Sequence, residues 1–312
     1  MSCCSAPIAL CQWWKIVFRR GGGGRGEGHV GTAYALLLIS RCIGAGRSGQ
    51  ELFLLKYQGG SEQFYGVDIR TAHDGPDADF LRLIYSPNIE EEAGEALQLH
   101  HKRLCRILCR RGDKKAIVVA NGVRQVAEAL EAGCDAIEQG FGMGEANLRI
   151  MAERGVLWIP SVLRAKNALD GSSGGGSVCC RFSTRYVAPG EPVPGAKAFW
   201  KKTLAEQLGQ LRLARELGVK IAVGTGAGSA GILHGESVVE EIKLFLKAGY
   251  SLEGGIQCAS KNGAEFFGMD QLGQLAVGQR ATFLVTRGTA KQLPRKLSYL
   301  EGVYIDGVPS AA

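Results

Sequence analysis

The chain has 312 residues, a formal charge of +7 and a pI near 8.9, with 46% hydrophobic and 21% charged residues. That length holds one large α/β domain with an appendage, or two ordinary domains, and excludes a peptide-sized module. The basic residues are spread along the chain apart from clusters at Arg19-Arg20 and Lys102 to Lys115, which weighs against nucleic acid as the main partner, and the longest apolar run, AYALLLI, is far short of the roughly 18 residues a membrane span needs.

Residues 1 to 60 form a low-complexity, diverged segment. MSCCSAPIALCQWW lacks a basic n-region, so no secretory leader is expected, and the ten cysteines contain no C-x-x-C pair. They read as reduced thiols of a cytoplasmic protein. FRRGGGGRGEGHVG has the look of an Arg-Gly tract, but one short tract is read more simply as a flexible linker. In this region only AYALLLIS and LFLL are candidates for regular structure.

From about residue 80 a grammar repeats: apolar strand, polar turn, amphipathic helix ending at glycine, next strand. DFLRLIYS and KAIVVA are the first two strands. In NGVRQVAEALEAGCDAIEQG, Val123, Val126, Ala127 and Leu130 recur at i, i+3, i+4 and i+7, Gly133 supplies a left-handed stop, and DAIEQ restarts as strand. EANLRIMAERGVLWIPS sets Leu148, Met151 and Ala152 on one helical face, stops at Gly155 and runs Val156 to Ile159 as strand. TLAEQLGQLRLARELGVKIAVGTG does the same with Leu204, Leu208, Leu211 and Ala214, stops at Gly218 and ends in a strand. Five strands that are apolar almost throughout are expected to be parallel and covered on both faces, as in a doubly wound sheet or a barrel.

Residues 165 to 200 lack periodicity and read as a long loop. ESVVEEIKLFLKAG is a helix, with Glu240 and Glu241 expected on its solvated side. LGQLAVGQRATFLVTRGTA and YLEGVYIDG read as a small C-terminal β element over 269–312, leaving 61–268 for the β/α units.

In their order, ALEAGCDAIEQG, MAERGVLWIPS, ELGVKIAVGTGAG, HGESVVEEIKLFLKAGYSLEGGIQCASKNGAEFFGM and LGQLAVGQRATFLV resemble the metal-dependent amidohydrolase superfamily, chiefly its imidazolonepropionase-like and proline-dipeptidase-like members. The resemblance covers Ala116 to Gly307. It implies a (β/α)8 TIM-barrel-like domain, incomplete or diverged at its N-terminus, with a small C-terminal β-sandwich element. It also implies a site at the C-terminal strand ends, where zinc or another divalent ion activates water against a C–N bond. That chemistry needs several His or carboxylate ligands and an Asp that takes and returns the proton.

Carried over position by position, the resemblance puts Arg82 where relatives with a bridging lysine have Lys, Val119 in VVANG where a ligand histidine precedes Ala-x-Gly, and Gln139 in IEQG where a second histidine stands. Gly226 in GTGAG falls at the aspartate. The five histidines, His29, His73, His100, His101 and His234, include no His-x-His pair. Arg82, Val119, Asn121, Gln139, Thr225, Gly226 and His234 are therefore the candidate pocket residues, with no intact metal set and no bound cofactor expected. Valine and glycine replace neither a ligand nor a proton shuttle.

Bland readings exist for the remaining signals: His234 as a helix-start histidine, His73-Asp74 as a turn before Gly-Pro, and Cys105 and Cys109 as one helical face short of two metal ligands. The expectation is an amidohydrolase-like barrel whose own hydrolysis is lost, binding a small amide or peptide-like ligand or another subunit. The alternatives are a working hydrolase that holds a metal through His73, His234 and nearby carboxylates, and a nucleic-acid-associated protein using the Gly-Arg tail.

Overall fold

The computed structural model describes residues 13–19, 34–37, 57–58, 80–85, 101–171, 195–226, 232 and 236–310. Two N-terminal strands, β1 (Trp13–Arg19) and β2 (Tyr34–Leu37), belong to a sheet completed near the other end of the chain. Then β3 (Tyr57–Gln58), β4 (Phe80–Ile84), β5 (Lys115–Ala120), β6 (Ala136–Gln139) and β7 (Leu157–Ile159) pair in parallel, each beside the next. The strands expected from DFLRLI, KAIVVA, DAIEQ and VLWI are all present, and β3 adds one the grammar did not contain.

The strand expected from KIAVG is reduced to a single parallel bridge between Trp158 and Ile221. Trp158 N donates to the Lys220 carbonyl and Ala222 N to the Trp158 carbonyl, both at 2.9 Å. The ladder goes no further because the next β7 donor would be residue 160, a proline without an N–H, and Val223 N, on the side away from β7, donates to the Cys258 carbonyl at 2.8 Å.

Between strands lie α1 (His101–Cys109), α2 (Val123–Glu131), α3 (Gly144–Arg154), α4 (Val162–Gly171) and α5 (Ala196–Leu217), followed by α6 (Glu236–Lys247), α7 (Leu252–Cys258) and α8 (Lys261–Phe266). Gly155 and Gly218 end α3 and α5 in the left-handed conformation, φ +67° and +75°, where a Cβ is unfavourable. The four apolar positions expected on α5 are all buried. On α2 the buried face is Val126, Ala129 and Leu130, whereas Val123, the first residue of the helix, is exposed.

The long loop expected over 165–200 is shorter than that. Residues 165–171 complete α4 and residues 196–200 open α5, since Ala165, Ala168 and Leu169 fall on one helical face against the core.

Near the C-terminus β8 (Phe283–Arg287), β9 (Leu300–Ile305) and β10 (Val308–Ser310) form a sheet in the order β10-β9-β8-β1-β2. The pairs β10/β9, β9/β8 and β1/β2 are antiparallel, and β1 runs parallel to β8. The small β element thus exists, and it recruits residues from both ends of the chain.

Alternation gives the parallel sheet two faces. Leu81, Leu83, Ala116, Val118, Ile137 and Trp158 pack into the large cluster shared with the helices. Phe80, Ile117, Ala136, Leu157 and Ala222 form a separate apolar cluster on the other face, closed by Phe266 and Phe267. Phe80 and Phe267 meet at 5.4 Å between ring centroids. That second cluster is the floor of the inner side of the barrel-like wall. Among the described residues no helix is long and apolar enough to cross a membrane.

Candidate functional site at the strand ends

Two residues beyond each member of the inner floor, the same face must carry Arg82, Val119, Glu138 and Ile159. The register agrees: Ile84, Val119, Glu138 and Ile159 lie side by side across four strands. Arg82 in β4 and Glu138 in β6 form a two-pronged ion pair, Nε to Oε2 and Nη2 to Oε1, both at 2.6 Å. Their side chains are only 10% and 16% exposed, so the pair is largely removed from water. It passes over β5, where Val119 is buried between the two charged strands.

The neighbouring positions are closed as well. A side chain built on Gly224 would meet Ile159 Cγ2 at 2.3 Å, so that glycine is needed for the segment to pass under Ile159. Ser161 Oγ donates to the Gly224 carbonyl at 2.8 Å and fastens the turn after β7 to the same segment. Thr225 is buried next to it, and Gly226 follows with φ +66°, a left-handed conformation.

Asn121 and Gln139 meet each other. Asn121 Nδ2 donates to Gln139 Oε1 at 2.6 Å, and Asn121 Oδ1 accepts from Phe141 N at 2.9 Å. Gln139 has φ +72°, uncommon for a residue with a Cβ. Its carbonyl accepts from Trp158 Nε1 at 3.0 Å and from Gln207 Nε2 at 3.4 Å, so the unusual backbone is held from two elements. These amides brace the turn between β6 and α3.

The structure therefore brings Arg82, Val119, Asn121 and Gln139 to one end of the sheet and sets Thr225 and Gly226 at the end of the bridged segment. His234, His73 and Asp74 lie outside the described residues, as do His29, His100 and the Gly-Arg tract beyond Arg19. The sequence reading passed over Glu138. Its signal was available: one acid and one base embedded in otherwise apolar strands require mutual compensation if both strands are buried.

Glu241 corrects the sequence expectation. Glu240 lies partly exposed and pairs with Lys243, but Glu241 is fully buried and accepts from Val162 N and Leu163 N, each at 2.7 Å. It shares the buried face of α6 with Val238, Ile242 and Phe245, which the i, i+3, i+4 spacing permits. The carboxylate caps α4 from another helix. Burial pushes its pKa up to about 7, opposed by the two backbone donors.

The divalent ion implied by the sequence resemblance does not fit these residues. Val119 has no donor atom, Gly226 has no side chain, the Gln139 amide oxygen is engaged by Asn121, and Glu138 is already neutralised by a guanidinium. Among the described residues no group of three or more His, Cys, Asp and Glu side chains is placed to hold a metal. His101 Nε2 and Cys105 Sγ are 3.3 Å apart on α1, which gives two potential ligands. Burial pushes Cys134 and Cys258 up to about 12, so both stay thiols at neutral pH.

The sequence profile of the Amidohydrolase family matches residues 107–308. A solved Xaa-Pro dipeptidase with methionine bound in its active site superposes with a TM-score of 0.62 at 21% identity, over 75% of this chain and 55% of that one. Ochratoxinase from A. niger gives 0.61 at 19%, over 77% and 52%, and phenylurea hydrolase B gives 0.53 at 14%, over 75% and 53%. The chain thus spans about half the length of the solved structures it resembles. At these identities the likeness shows the fold, which is TIM-barrel-like with helices around a parallel sheet. A comparison with curated protein sequences finds no match.

Proposed function

This chain belongs to the amidohydrolase family, and on that premise we propose that it is a barrel protein whose metal-dependent hydrolysis of C–N bonds is lost and whose strand ends bind a small amide or peptide-like ligand. The observation that carries the reading is the Arg82–Glu138 pair, a neutral and fully engaged couple at the strand ends. A water made nucleophilic by a metal needs concentrated ligand charge beside it, and a base must take its proton. Valine at position 119 and glycine at 226 supply neither.

The ligand class follows from relatives and from chemistry. One structural neighbour is a Xaa-Pro dipeptidase and another is an ochratoxinase. The Asn121–Gln139 turn lies beside the paired charges at the same strand ends, a mixed polar and apolar setting suited to an amide.

The test is turnover and binding measured together. Purified protein incubated with Xaa-Pro dipeptides and N-acyl amino acids, with zinc and with a chelator, is expected to release no amine while the same compounds raise its unfolding midpoint. Chelator-sensitive amine release above the buffer blank contradicts the reading.

A further inference from the structure

We infer that Arg82 is the resident cation of this barrel: its guanidinium, with Glu138 as counter-ion, performs without metal the strand-tying role that a bound ion would perform at the same end of the sheet. The inference rests on the proposed loss of the metal site and goes beyond it, because it assigns a positive structural role to the pair that stands there.

Three observations carry it. The pair joins β4 to β6 across the intervening β5, so one interaction spans three consecutive strands near their C-terminal ends. It is two-pronged, a geometry that a planar guanidinium offers and an ammonium does not. It rises from the level of Ile117 beside an apolar floor of Phe80, Ile117, Ala136, Leu157 and Ala222, where either charge left alone is costly.

A double-mutant cycle in metal-free buffer tests this by thermal unfolding. Arg82→Met is expected to lower the midpoint by on the order of 10 °C, because it leaves the Glu138 carboxylate buried without its partner. Arg82→Lys keeps the charge without the fork and is expected to lose a clear part of that shift. Combining Arg82→Met with Glu138→Leu is expected to recover most of the loss, since neither charge then remains. The wild-type midpoint is expected to be the same with zinc and with chelator. Additive losses in the double variant, or Arg82→Lys unfolding like wild type, overturn the inference while leaving the proposed loss of hydrolysis intact. A wild-type midpoint raised by zinc overturns it even if the Met variant fails to fold. Chelator-sensitive turnover alone, with strong coupling between residues 82 and 138, contradicts the functional reading and supports the bracing role.

Discussion

The two faces of the parallel sheet obey the same alternation and have different contents. The helix-facing side is filled by Leu81, Leu83, Val118, Ile137 and Trp158, ordinary core residues that need only apolar neighbours. The inner side begins with an equally apolar floor and then changes character: Arg82, level with Ile117, reaches up to Glu138, which stands level with Val119 and Ile159. Packing constrains the first face and chemistry the second. On the proposed reading the chain keeps an amidohydrolase-type framework while the residues at its strand ends depart from what metal-dependent hydrolysis requires.

The contrast can be broken most severely from the helix-facing side. Trp158 is fully buried and its indole N–H holds the Gln139 carbonyl, so Trp158→Ala is expected to cost about 4 kcal/mol in denaturant unfolding. A loss under about 1 kcal/mol there means that the helix-facing side is far looser than its packing indicates.

Between the layers, Glu241 gives a pH signature. Its carboxyl is raised to about 7 in the folded chain from the ordinary 4.5 of a solvated glutamate, so between those values the folded state holds more proton than the unfolded one. Its contribution is fully present below about pH 4.5 and fades as pH rises through about 7, for a total on the order of 3 kcal/mol. Glu241→Gln is expected to flatten that part of the stability profile, and an unchanged slope between wild type and variant contradicts the assignment.

At the strand ends, Asn121→Ala removes the partner of both Gln139 Oε1 and Phe141 N and is expected to cost about 1–3 kcal/mol. Hydrogen exchange at Phe141 should rise in the same variant. The smallest effect returns to the helices. A Cβ on Gly255 would meet Ile242, Leu246 and Phe245 at ordinary contact distances of 3.5 to 4.0 Å, so Gly255→Ala is expected to stabilise by about 0.5–1 kcal/mol. A loss there reveals a packing constraint that the apolar face conceals.

The same contrast explains what was legible in the sequence. Helix stops at Gly155 and Gly218 and the buried stripe of α5 are local events, set by backbone conformation and period, and they appear where the sequence placed them. The four strands from DFLRLI to VLWI were legible for the same reason. The partners of Arg82 and Glu241 were not: one lies 56 residues away and the other two lie 78 and 79 residues away, and no local pattern encodes which distant group compensates a buried charge. Ile221 kept a single bridge because Pro160, the next donor position on β7, has no N–H to extend the ladder. β2 falls within AYALLLIS, a segment already expected to be regular, whereas β1 was not legible because one of its partners, β8, lies near the opposite end of the chain.

We propose a metal-free strand end built on the Arg82–Glu138 ion pair. Its most direct measurement is the metal content of wild-type protein after loading with excess zinc and desalting. The structure leads to far less than about one equivalent retained, whereas a retained equivalent that a chelator removes together with amide-hydrolysing activity contradicts the claim.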